Sequence, residues 1–175
     1  MKRGQNKKGF TIVELLIVIV VIGILAAITV VAFNGVQRKA RDTDRKSDVA
    51  SIIKAMEAYH ALNGRYPASS GSTAINGSWS TTADASWQTF AAQFAPTVST
   101  LPTDPANPTS LPAISGGSNY DIYVNTGSYC GSAVGQMYLL VYHLEGEPQV
   151  NTSVGECTTN PLNYYSAGSN YRVAK

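Results

Sequence analysis

Two hydropathy patterns follow one another at the start of the chain. From Thr11 to Phe33 an apolar run is broken by a single charge, Glu14. About 23 residues at 1.5 Å each make roughly 35 Å of helix, enough to cross a hydrocarbon core of about 30 Å. From Asn34 to Leu62 the pattern turns amphipathic, with no proline to interrupt it. Val49, Ile52, Ile53, Met56, Tyr59 and His60 recur at spacings of three and four and form one stripe, while Lys46, Lys54 and Glu57 fall largely off it. The two patterns therefore predict one helix of about 50 residues, roughly 80 Å long. Asn63-Gly64 stops it, and Pro67 bars its continuation. A single subunit of this size does not bury such a helix along its whole length, so the pattern points both to a membrane and to polymerisation.

The remainder alternates between loop and sheet signals. Ala68 to Gly117 is rich in Ser, Thr, Gly, Pro and Asn, the composition of an irregular connection. Within it Asp84 can cap a short helix whose Trp87, Phe90, Ala91 and Phe94 share a face, ended by Pro96. Those aromatics read as pins holding the loop to the core. Tyr120, Ile122 and Val124 alternate with Asp121, Tyr123 and Asn125, as in a strand with one buried face. Gln136 to Leu144 is apolar on both faces and reads as a central strand, with turns at Gly127, Gly131 and Glu145-Gly146-Glu147-Pro148. Tyr164, Tyr165 and Tyr171 to Val173 offer short edge strands. The predicted fold class is α+β: a small antiparallel sheet laid on the amphipathic half of a long N-terminal helix.

Charge refines this picture. Lys2, Arg3, Lys7 and Lys8 precede the apolar run, which keeps the N-terminus cytoplasmic and sends the rest across the membrane. The run contains no Ala-x-Ala and no lipid-anchor cysteine, so it is read as retained. Four of the 13 bases lie in this leader, so the formal charge of +2 becomes about −2 once it is removed. Residues 66–175 hold only Arg172 and Lys175 against six acids, the opposite of a polyphosphate-binding face, which argues against direct nucleic-acid binding by the head. Between Arg38 and Asp48 charges of both signs mix. This reads as a solvated helix face or, alternatively, as charge matching between neighbouring subunits.

Glu14 needs an explanation, because a carboxylate in a lipid-facing helix costs a few kcal/mol unless it is paired or reaches the interface. Were the bond between Gly9 and Phe10 cut, Phe10 would carry a free ammonium one turn before Glu14. Packed copies could then join the ammonium of one to the carboxylate of the next, in surroundings where the attraction is much stronger than in water. Snorkelling to the headgroups is the other reading.

Lys8-Gly9-Phe10-Thr11-Ile12-Val13-Glu14-Leu15-Leu16 closely resembles the leader and cleavage motif of the type IV pilin and pseudopilin family. The resemblance covers roughly residues 7 to 66. It implies that a prepilin peptidase cuts after Gly9, that the new Phe10 amine is methylated, and that Glu14 pairs with a neighbour's terminus during assembly. Gly23 matches a helix glycine common in the family, whereas Val31 stands where many members carry a proline. Leu101-Pro102-Thr103-Asp104-Pro105-Ala106-Asn107-Pro108, followed by Tyr120-Asp121-Ile122-Tyr123, resembles a turn-and-strand entry of secretion pseudopilins and many pilins. The implied partners are the peptidase, identical or related subunits in a helical filament, an inner-membrane assembly platform, and the membrane itself before assembly.

Cys130 and Cys157 are the only cysteines. In an exported chain an even pair reads as a disulfide, and two thiols without neighbouring histidines make a poor zinc site. Closing a loop of about 28 residues contributes roughly 3.5 kcal/mol on the chain-entropy model. The resemblance places that bond in the disulfide-bound C-terminal region of many pilins.

An enzyme is not expected. His60 and His143 are the only histidines, neither H-E-x-x-H nor G-x-S-x-G occurs, and no cofactor motif is present. Asn76-Gly77-Ser78 and Asn151-Thr152-Ser153 fit the glycosylation triplet, a pattern common by chance. The chain is thus divided into a leader (1–9), a membrane and assembly helix (10–33), its amphipathic continuation (34–62) and an exported head (63–175). Within the head, 68–117 is the irregular connection and 118–175 holds the sheet and disulfide loop. The expected function is a type IV pilus subunit serving attachment or motility, anchored by one span in the cytoplasmic membrane and extracellular once assembled. The alternatives are a pseudopilin of a type II secretion or DNA-uptake machine and, remotely, a membrane-tethered hydrolase.

Overall fold

The computed structural model describes residues 9–106, 112–113, 116–128 and 131–147, together with the backbone of 170–174. Cys130, Cys157, Tyr164, Tyr165 and the Asn151 triplet lie outside these residues. A long helix, α1 (Ile12–Asn63), contributes to two compact units that divide between Arg38 and Lys39.

In the first unit α1 is apolar and exposed on every side. Ile12, Leu16, Val20, Ile24, Ile28 and Val31 all stand open, and one stretch is long and apolar enough to cross a membrane. With Val31 in place of a proline the helix runs on unbroken, and Thr29 donates its hydroxyl to the Leu25 carbonyl at 2.7 Å.

The second unit is α+β. Its sheet has four antiparallel strands in the order β1 (Trp79–Thr81), β2 (Asp121–Val124), β3 (Tyr138–Tyr142) and β4 (Asn170–Ala174). Ile122 is paired with Leu140, and Leu140 in turn with Arg172. The helix stripe buries Val49, Ile52 and Met56, joined by Ala55, with Ile53 and Tyr59 partly covered at its margin. Against it stand Tyr120, Ile122, Val124, Tyr138, Leu140, Tyr142 and Leu144, the alternate residues of β2 and β3 and their ends. Gly64 ends the helix in a left-handed conformation (φ 68°) and donates its N–H to the His60 carbonyl at 2.8 Å.

The short helix α2 (Ser86–Ala92) forms as predicted and buries Trp87 and Phe90, with Phe94 just beyond it. Its capping differs in detail. Ala85 is the N-cap, and the Asp84 carboxylate accepts the Ser86 N–H at 2.9 Å from one position further out. The other oxygen of Asp84 accepts from the Thr73 and Ala74 N–H groups and the Ser72 hydroxyl. Burial pushes this carboxyl upward, but the hydrogen bonds, led by Ser86, outweigh it and hold its pKa below the ordinary value.

Two expectations are corrected. The connection 68–117 is not wholly irregular apart from α2, because β1 forms inside it and pairs with β2. Nor does β2 have a polar outer face: Asp121 and Asn125 are buried as well. Asp121 accepts the Thr81 hydroxyl at 2.6 Å. Asn125 accepts the Met137 N–H at 3.0 Å and donates to the Gly127 and Ala133 carbonyls, tying together the turn between β2 and β3.

The core position Leu140 and the exposed Leu62 should respond oppositely to truncation. Leu140→Ala is expected to lower stability by about 2–5 kcal/mol, and Leu62→Ala to change it by less than about 0.5 kcal/mol, as measured by urea unfolding of the detergent-solubilised chain.

Candidate functional site

The predicted processing site lies at the start of α1. Phe10 is 84% exposed, and a Cβ added to Gly9 would meet no atom within 4 Å. The packing of the chain itself therefore sets no demand for glycine at position 9. Thr11 and Glu14 form a reciprocal cap. The Glu14 Oε2 atom accepts the Thr11 N–H at 2.8 Å and the Thr11 hydroxyl at 2.7 Å, while Thr11 Oγ1 accepts the Glu14 N–H at 3.2 Å. This is a capping box, in which two otherwise orphaned helix donors are satisfied. The Thr-x-x-Glu spacing that announces it is legible in the sequence, which also allows the partner from outside that the spacing to Phe10 predicts. Within the chain, Glu14 already has one.

The second cluster departs from the expectation of a solvated helix face. The charges between Arg38 and Asp48 do not form a uniformly solvated face, because Arg45 and Asp42 are buried in the second unit. Arg45 donates from Nε to Asp104 Oδ2 at 2.6 Å, and from Nη1 to Glu145 Oε1 at 2.8 Å and Asp42 Oδ1 at 3.1 Å. Asp42 also accepts the N–H groups of Glu145 and Gly146, at 2.9 and 2.8 Å. Arg41 grips Glu145 from the other side through Nε and Nη2, and Lys46 pairs with Glu147. One helix turn thus fastens the Leu101–Pro105 segment and the turn after β3. Nearby, the buried Tyr120 hydroxyl donates to Asp48 Oδ2 at 2.9 Å.

The electrostatics follow from these contacts. Burial opposes the charge on Arg45, but its bonds to Asp104 and Glu145 more than offset this and raise its pKa. The Arg41 fork, then Arg45, hold Glu145 down at about 2 against the opposing effect of burial. Burial, followed by the bond to Asp48, raises the Tyr120 hydroxyl, and burial also lifts Asp48 despite that bond. Among the described residues no group of three or more His, Cys, Asp or Glu could hold a metal ion, and the carboxylates around Arg45 converge on its guanidinium.

The two histidines lie on different elements, His60 in α1 and His143 just after β3. His60 Nε2 lies 2.9 Å from Gln136 Oε1, and its ring lies 4.5 Å from that of Tyr66. The Asn76 side chain accepts the Ser78 N–H at 3.0 Å in its own turn.

Comparison with known proteins finds a recognised motif in the N-terminal segment. Residues 4–30 match the family model of the prokaryotic N-terminal methylation motif. The type II secretion system core protein G of Pectobacterium carotovorum subsp. carotovorum is 38% identical over 64 residues, covering 37% of this chain and 41% of that protein. The protein of the same name from Aeromonas hydrophila is 39% identical over 66 residues, 38% of this chain and 45% of that one. The Klebsiella pneumoniae protein of that name is 36% identical over 63 residues, 36% and 45% of the respective chains. The matched stretch thus spans less than half the length of these curated relatives. No solved structure matches the chain.

Two measurements probe the Arg45 cluster. Arg45→Met leaves buried carboxylates without their counter-charge and is expected to cost about 3–5 kcal/mol, with part of the loss recovered in Arg45→Met/Asp104→Leu, by urea unfolding. Glu145 has a folded pKa depressed from its ordinary 4.5 to about 2, so its stabilising contribution is complete above 4.5 and is lost as the pH falls toward 2. Urea midpoints recorded against pH should therefore fall over that interval, and Glu145→Gln should flatten the fall while lowering stability at neutral pH.

Proposed function

We propose that this chain, whose N-terminal segment carries the prokaryotic N-terminal methylation motif and is homologous to type II secretion system core protein G, is a structural subunit of pseudopilin type. The observation that carries this reading is the match over residues 4–30, which takes in Gly9, Phe10 and Glu14. In this reading a prepilin peptidase cuts after Gly9, the Phe10 amine is methylated, and the chain waits in the cytoplasmic membrane with its head outside. It then joins copies of itself or related subunits on an inner-membrane assembly platform. The requirement for glycine at position 9 belongs to the peptidase, consistent with the open space around it.

The physical drive is burial of the apolar helix among its neighbours. Large side chains exposed from Phe10 to Val36 leave the bilayer core for one another, and the methylated ammonium of one copy meets the Glu14 carboxylate of the next. The Ser/Thr-rich connection and the cysteine pair favour an attachment or motility pilus. The named relatives are secretion proteins, and they move a secretion pseudopilin ahead of it. The role is structural, with no reaction catalysed by the head.

Mass spectrometry of the N-terminus, electron microscopy of sheared surface material and assays of protein secretion, all in the native host, test the reading. The expected result is a mature chain starting at methyl-Phe10, a secretion defect on loss of the chain, and no long surface filaments at native expression. Long filaments would make it a pilus subunit, and an uncut chain would refute both. Glu14→Ala is expected to be processed normally and to abolish assembly, whereas Gly9→Ala is expected to slow cleavage.

A further inference from the structure

Asn-Gly occurs three times in the chain, at Asn34, Asn63 and Asn76. In this dipeptide the glycine nitrogen has no neighbouring side chain to shield it and can reach the carboxamide carbon of the asparagine before it. The fold treats the three steps differently. Gly35 lies inside α1, where the helix ladder takes up its N–H. The Gly64 N–H is committed to the His60 carbonyl at 2.8 Å, and the Asn63 amide donates to the Tyr59 carbonyl at 2.9 Å. The third step lies in the exposed turn before β1. There, among the described residues, neither the Gly77 N–H nor the Asn76 amide group donates a hydrogen bond. A Cβ added to Gly77 would meet no atom within 4 Å, so nothing crowds that residue.

The electrophile in the same turn is held in place. Asn76 Oδ1 accepts the Ser78 N–H at 3.0 Å, which keeps the carboxamide folded back on its own backbone. The Asn76 carbonyl accepts the Trp79 N–H at 3.1 Å and the Gly77 carbonyl accepts the Gly71 N–H at 2.8 Å, so the carbonyls are tied while the Gly77 nitrogen is left over. From this arrangement we infer that Asn76-Gly77 is a self-modifying site, at which water converts the asparagine to aspartate and isoaspartate. The Gly77 nitrogen gives up its proton to solvent and bonds to Asn76 Cγ. The Ser78 N–H stabilises the negative charge that gathers on Oδ1. The Cγ–Nδ2 bond then breaks, Nδ2 takes a proton back and leaves as ammonia, and a cyclic imide remains. Water opens the imide at one carbonyl or the other, giving a normal aspartate or a backbone routed through the side-chain carboxyl. Either product puts a new negative charge on the loop that Asp84 fastens through the Thr73 and Ala74 N–H groups.

Incubation of the full-length, detergent-solubilised chain in mildly alkaline heavy-oxygen water, followed by proteolysis in ordinary water and mass spectrometry of the peptides, tests this. Only conversions that precede proteolysis then carry the label. The expected result is label at Asn76, gained on the order of tenfold faster than at Asn34 or Asn63, the worth of about one hydrogen bond. The Asn76 peptide should also split chromatographically into aspartyl and isoaspartyl forms. In the urea-unfolded chain Asn63 and Asn76 should convert at similar rates, because the fold makes the difference between them. Conversion at Asn34 or Asn63 that matches or outpaces Asn76 in the folded chain would overturn the assignment. So would a preference for Asn76 that persists undiminished in urea, or a folded chain that keeps its Asn76 amide while the unfolded chain loses it.

Discussion

The head is held in register by a single guanidinium. Arg45 meets carboxylates from its own helix turn, from the Leu101–Pro105 segment and from the turn after β3. Burying this charge is expensive, and an apolar side chain of similar volume could contribute as much stability. Apolar contacts, however, tolerate sliding. A guanidinium whose Nε and Nη atoms must each find an oxygen admits far fewer arrangements. We read the cluster as a device for specificity: it sets where two loops, far apart in sequence, sit along the helix.

That constraint has a counterpart in the rest of α1, where nothing is specified at all. The first unit presents Leu, Ile and Val on every face, and among its described residues the side-chain hydrogen bonds are those of the cap and of Thr29. A surface so uniform makes few demands on register, and lipid tails satisfy it as readily as another helix does. The chain therefore joins a segment that accepts many neighbours to one whose own arrangement is fixed. Specific choices in an assembly then fall to the helix cap and to the head.

Much of this was legible in the residues. Periodicity shows the apolar run, the stripe from Val49 to His60, the aromatic face of α2 and the two central strands, turn chemistry shows the Asn63-Gly64 stop, and resemblance shows the N-terminal methylation motif. What escaped was polar. Extending the stripe back by three and four from Val49 and Ile52 lands on Arg45 and then Asp42, so charges at core spacing were the available sign of a buried ion network. Charges in a sequence predict surface because most charges lie there. Strand β1 is only three residues, Trp79 to Thr81, too short for any period to show among serines and threonines. Asp121 and Asn125 followed the alternation of β2 and were assigned to solvent, whereas the Thr81 hydroxyl and the turn before β3 supply the partners that let both be buried.

The cap at the start of α1 uses only half of its acid. Both Thr11 donors converge on Oε2, and among the described residues Oε1 accepts no hydrogen bond. A carboxylate divided this way can greet an arriving cation with its free oxygen while the other goes on securing the first turn, so docking would not require the helix end to fray first.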